Sequence, residues 1–104
     1  MKLRYTPAAH HDLQAIQQYL QVELCNPAAA KRLITAITAG CDQLKRFPKL
    51  GPSIQAKTGY ETPLRMLTIE HYIVLYRVDE DVVSVGRILH AHQDYIRILF
   101  HDFK

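Results

Sequence analysis

Tyr72-Ile-Val-Leu-Tyr-Arg-Val-Asp-Glu-Asp-Val-Val-Ser-Val-Gly-Arg-Ile-Leu-His-Ala-His-Gln-Asp94 is the stretch on which the fold turns. Two runs rich in β-branched and aromatic residues flank the acidic tripeptide Asp79-Glu80-Asp81. That pattern predicts a β-hairpin with a three-residue loop, although the glycine that commonly supports such a loop is missing. Both runs have ordinary strand length and are too apolar to face water on two sides. One face of the hairpin must be covered, and the cover has to come from the first half of the chain.

That half supplies a short strand over residues 3–5, with Arg4 facing opposite to Leu3 and Tyr5. Thr6-Pro7 then reads as a helix start, Thr6 as the cap and Pro7 at the first helical position. Ala9, Leu13, Ile16 and Leu20 recur at helical spacing and predict a helix over residues 7–23. Asn26-Pro27 repeats the start signal, and Ala30, Leu33, Ile34, Ile37, Cys41 and Leu44 form a second apolar stripe that ends at Phe47-Pro48. The short link predicts an antiparallel helical hairpin. Gly40, inside that stripe, marks either a close backbone approach to the first helix or a plain weak point.

Residues 48–62 carry Pro48, Gly51, Pro52 and Gly59 and read as one irregular segment, either a functional loop or a surface connector. Residues 64–69 form a strand candidate, with a tight turn at Glu70-His71 leading into the hairpin. In residues 95–104, Ile96, Leu99 and Phe103 sit at helical spacing, so a short helix is expected over an extended tail. The assembly is a single α+β domain over residues 1–104. It has an N-terminal strand, an antiparallel helical hairpin packed on one face of a small antiparallel sheet, and a short C-terminal segment. The other sheet face is left to meet something else.

The 104 residues carry 13 Lys and Arg against 10 Asp and Glu, for a net charge of +3 with the six histidines neutral. Such a balance permits an anionic partner without requiring one. No apolar run approaches a membrane span, and no apolar segment follows the N-terminal charges as a signal peptide would require. Cys25 and Cys41 form no CxxC pair, and free, buried thiols in a reducing cytoplasm are expected.

The ordered set of strand, Pro-Ala-Ala helix start, Phe47-Pro48-x-x-Gly51, Leu64-Arg65, Tyr72-x-x-x-Tyr76-Arg77-Val78 and Arg87-Ile88-Leu89-His90-x-x-x-Asp94 resembles the RelE/ParE toxins of bacterial type II toxin–antitoxin modules. The Arg-Ile-Leu-His element after a Tyr-Arg-Val strand is most similar to the ParE, or plasmid-stabilisation, branch. The resemblance implies a toxin neutralised by a cognate antitoxin that wraps it. RelE-type members cleave messenger RNA on the ribosome, whereas ParE-type members bind DNA gyrase. Two departures favour the second branch. RelE-like proteins carry an Arg just after the aromatic that opens the central strand, where this chain has Ile73. They carry a Lys-Arg pair after the last strand, where this chain has Ala91-His92.

The expected partner-binding residues are Arg65, Arg77, Arg87, His90, Tyr95 and Arg97, with the tail 95–104, as polar anchors for gyrase or the antitoxin. No residue is assigned a firm catalytic role. Should the chain instead be a ribonuclease, His90 or His92 would be base or acid and Arg65 and Arg87 would clamp phosphate. His71 is a third candidate for such an acid or base. Direct contact with nucleic acid belongs only to that alternative, and a toxin homologue without activity is a third. Each residue also has a purely structural reading. Arg77 beside Asp79, Glu80 and Asp81 can be a hairpin-end ion pair. Arg87, in an apolar strand, needs water or a carboxylate such as Glu70 or Asp94. Tyr72 and Tyr76 read as core, and His10-His11 as solvated. His90-Ala-His92 has metal-pair spacing without a third ligand, so neither metal nor cofactor is expected.

Overall fold

Thr6 opens the first helix as its place before Pro7 predicts. Its hydroxyl accepts from the Ala9 N–H at 3.2 Å, and Pro7 occupies the first helical position, where no donor is missed. The computed structural model describes residues 1–91. Its elements run β1 (Lys2–Tyr5), α1 (Pro7–Gln18), α2 (Pro27–Asp42), α3 (Ile54–Thr58), β2 (Arg65–Ile69), β3 (Tyr72–Val78) and β4 (Val82–His90). A wider π turn, Tyr19–Glu23, continues α1, so the helical stretch covers the residues its periodicity marks. Cys25 turns the chain with φ 49°, and Asn26 caps α2 by accepting from the Ala29 N–H at 3.1 Å. His92, Asp94, Tyr95, Arg97 and the helix expected over 95–104 lie outside the described residues. Among the described residues no helix is long and apolar enough to cross a membrane.

The strands form one sheet in the order β1-β4-β3-β2. The β2–β3 and β3–β4 pairs are antiparallel hairpins, the second closed over Asp79-Glu80-Asp81 by the Asp79 N–H donating to the Val82 carbonyl at 2.9 Å. β1 joins the far edge in parallel with β4, which makes the sheet mixed. β1 pairs only with residues 82–85, so the outer edge of β4 is bare of a strand from Gly86 onward. Opposite the step between Leu75 and Tyr76, Gly86 is the extra residue of a bulge.

Alternation sorts the sheet into two faces. Val74, Tyr76, Val83, Val85 and Ile88 pack against Ala9 of α1 and Leu33, Ile37 and Cys41 of α2, with Tyr72 and Val78 at the margins. On the reverse face Ile73, Leu75 and Leu89 meet Met66, Leu64 and Ile54 in a second, smaller cluster. The expectation that this reverse face is left open needs correcting. Residues 48–62 are not wholly irregular: Ser53 caps the short α3, accepting from the Ala56 N–H at 3.3 Å, and α3 lowers Ile54 onto the sheet. The cause lies in the sequence, since β3 and β4 present branched residues on both faces.

Two further expectations are revised. Gly40 is closely approached, but by a side chain of the sheet and not by the backbone of α1. A Cβ there would run into Ile69 Cδ1 and lie 3.1 Å from its Cγ1. Of the two thiols only Cys41 is buried, while Cys25 in the interhelix turn is exposed. Burial pushes the Cys41 thiol up to about 11. The link 47–64 is clamped by Tyr76, which is wholly buried and whose hydroxyl accepts from the Gly51 N–H at 2.9 Å. Gly51 admits no side chain, because a Cβ would strike the Met66 carbonyl oxygen and lie 2.8 Å from its carbon.

Candidate functional site

The basic residues of the hairpin do not converge. Arg65 lies opposite Tyr76 and Arg87 opposite Leu75, so the first shares the helix side of the sheet and the second the reverse side. Arg77 is on the reverse face beside Ser84, and His90 is on the helix side beside Tyr72. Tyr72 and Arg77 are five residue steps apart along β3, about 17 Å of strand.

Each group has its own surroundings. Arg65 Nε donates to the Gly51 carbonyl at 2.8 Å and so braces the same loop turn that Tyr76 holds. His90 meets the Tyr72 ring edge-on, with centroids 5.2 Å apart. His71 is exposed in the β2–β3 turn. Glu70 in that turn is taken by Arg32, 2.8 Å away, and the guanidinium holds the Glu70 carboxyl below its ordinary range.

Arg87 is committed to the fold. Its Nε donates to Asp12 Oδ2 at 2.8 Å and its Nη2 to Oδ1 at 3.2 Å, and the same carboxylate accepts the Ile88 N–H at 2.9 Å. Asp12 sits on α1 where β1 has ended, so its side chain replaces the missing strand along the bare edge of β4. Thr6 completes this edge, donating its hydroxyl to the Gly86 carbonyl at 2.9 Å. The carboxylate foreseen for Arg87 is thus supplied by Asp12, a residue the sequence pattern did not single out. Around this pair, Ile16, Tyr19, Leu20 and Leu24 of the first helical stretch face Tyr72, Ile88 and His90 across a groove of about 580 Å³.

Arg77 is exposed and bonds Asp79 with Nη2–Oδ1 at 3.1 Å, the hairpin-end ion pair its neighbours suggest. It also walls a cleft of about 410 Å³ with Arg4, Thr6, Ser84, Gly86, Asp79 and residues 62–64. Ser84 pairs with Arg4 on one side and Arg77 on the other, so the three form a row across β1, β4 and β3. Ser84 and the bulge residue Gly86 line the cleft with little side-chain bulk. Arg4 makes no ion pair among the described residues. Sequence reasoning missed this cleft. Alternation turns Arg4 away from the core, but the pairing of β1 with β4 is not written locally.

The cation that the resemblance assigns to the RelE branch after the opening aromatic is replaced by Ile73, 5% exposed inside the second apolar cluster. The reverse face therefore divides into an apolar half around Ile73 and a polar half around Arg4 and Arg77.

Comparison with known proteins agrees with this architecture. Residues 3–95 match the family model described as the ParE toxin of the type II toxin–antitoxin system parDE. A Sinorhizobium fredii protein named "Putative toxin Y4kP" is 30% identical over 98 residues, which is 94% of this chain and 96% of that protein. A chain of the chromosomal ParDE system of P. aeruginosa superposes with a TM-score of 0.73 at 26% identity, over 88% of this chain and 97% of that one. A chain of the Mycobacterium tuberculosis RelBE2 toxin–antitoxin complex superposes with a TM-score of 0.64 at 21% identity, over 86% of this chain and 95% of that one.

Proposed function

Because the chain belongs to the ParE toxin family of type II toxin–antitoxin systems, we propose that it acts by binding DNA gyrase and is held inactive by a cognate antitoxin. The observation that carries this reading is the buried Ile73. Phosphate cleavage needs cations and a titrating group within hydrogen-bond reach of one phosphodiester. Here the position of a catalytic cation holds an aliphatic side chain in an apolar cluster, Arg87 is bound to Asp12, and Arg65 braces the Gly51 turn. These features speak against a phosphate-cleaving arrangement of these groups and so support the docking reading.

The partnership with an antitoxin is supported by the ParDE relative and by two accessible depressions on opposite sides of the sheet. The groove along the first helical stretch sets apolar side chains, among them Ile16, Leu20 and the exposed Leu24, beside the Arg87–Asp12 pair and His90, a mixed surface suited to an amphipathic segment. The test is direct. Purified chain is expected to inhibit supercoiling of relaxed plasmid by gyrase and to leave mRNA intact in a translation extract. Coexpressed antitoxin is expected to restore supercoiling. Cleaved mRNA with unimpeded gyrase, lost in His90→Ala, would instead establish a ribonuclease.

A further inference from the structure

We propose that the cleft between Arg4 and Arg77 receives a carboxylate from an acidic segment of the antitoxin, an inference that rests on the antitoxin partnership for the identity of the occupant. The pairing places both arginines one strand away from Ser84, so their Cα atoms are about 9.5 Å apart with only a hydroxymethyl group between them. Two long cations leaning over a small residue leave space that an anion can fill.

The cleft already displays the chemistry at its rim. Asp79 is held by Arg77 through Nε at 3.2 Å and Nη2 at 3.1 Å, which leaves the Arg4 guanidinium as the cleft's cation without a carboxylate among the described residues. The guanidinium fork suits a planar carboxylate, which it can hold through two parallel hydrogen bonds. Two arginines and one aspartate give the cleft a charge of one positive unit, matched by a single carboxylate. Pro63 and Leu64 also line the cleft, which suits the aliphatic stem of a glutamate better than the repeated charges of a nucleic-acid backbone, which the fixed Asp79 carboxylate would repel. Thr62 lines it as well and adds a hydroxyl. The volume of about 410 Å³ accommodates such a side chain with the backbone that carries it.

The test uses the full chain and a capped, fluorescein-labelled hexaglutamate peptide, followed by fluorescence anisotropy at low salt. Saturable binding is expected, weakened about tenfold in Arg4→Gln and again in Arg77→Gln, as the loss of a charge-assisted hydrogen bond predicts. Ser84→Leu, which adds side-chain bulk with no change in charge, is expected to block binding. Lys49→Gln with Lys57→Gln, which removes two exposed charges that do not line the cleft, is expected to leave it unchanged. Melting curves confirm that each variant is folded. The cleft assignment fails if the peptide does not saturate, if the lysine pair weakens binding as much as the arginines, or if a six-nucleotide thymidine oligomer binds more tightly through the same arginines. Failure here with continued neutralisation by the antitoxin in coexpression would sink the cleft and leave the partnership standing.

Discussion

The two ends of β4 carry the same kind of pair under opposite conditions. At one end Arg87 and Asp12 have side chains only 21% and 11% exposed, are joined by two hydrogen bonds, and share the carboxylate with a backbone N–H. At the other, Arg77 and Asp79 are 54% and 41% exposed and belong to one hairpin end. Water screens the second pair and not the first, so similar chemistry gives a structural bolt at one end and an available cation at the other. Residue type alone does not say which arginine of a toxin is free to act; the strand missing beside it does.

This contrast can be broken by substitution. The largest effect is expected for Asp12→Ala, which strands a part-buried guanidinium and frees the Ile88 N–H, at a cost of about 3 kcal/mol in urea unfolding. Asp12→Asn, which still accepts the N–H, is expected to recover part of that. Gly51→Ala comes next, at about 2 kcal/mol, because the new methyl meets the Met66 backbone and presses on the Tyr76 clamp. Asp79→Ala is expected to change stability by less than about 0.5 kcal/mol, since an exposed pair contributes little. An equal cost for Asp79→Ala and Asp12→Ala would erase the distinction between the two ends. The smallest effect is chemical. At pH 8 the exposed Cys25 is expected to take up a thiol reagent without loss of fold. Cys41, held protonated by burial up to about 11, reacts only after unfolding.

Much of this fold was legible because its signals are local. Thr6-Pro7 and Asn26-Pro27 announce the helix starts through the hydrogen bonds they make, and the apolar runs around Asp79-Glu80-Asp81 announce the hairpin. What was not legible depends on partners distant in sequence. Nothing in Leu3-Arg4-Tyr5 says that it pairs with residues 83–85, so neither the Arg4–Ser84–Arg77 row nor the bare edge that Asp12 fills could be seen. How the candidate arginines divide between the faces likewise needed the strand pairing, which puts Arg65 on the helix face and Arg77 and Arg87 on the reverse. Ile73 was noted as a departure from the RelE pattern, but its burial needed α3, whose cap Ser53 lies in a segment dominated by proline and glycine.

The measurement that bears most directly on the central claim is induction of the chain in bacterial cells while DNA breaks and protein synthesis are followed separately. Action on gyrase predicts that double-strand breaks accumulate first, with translation continuing until growth has already stopped. An immediate fall in protein synthesis with intact chromosomes would contradict it and place the chain with the ribonucleases.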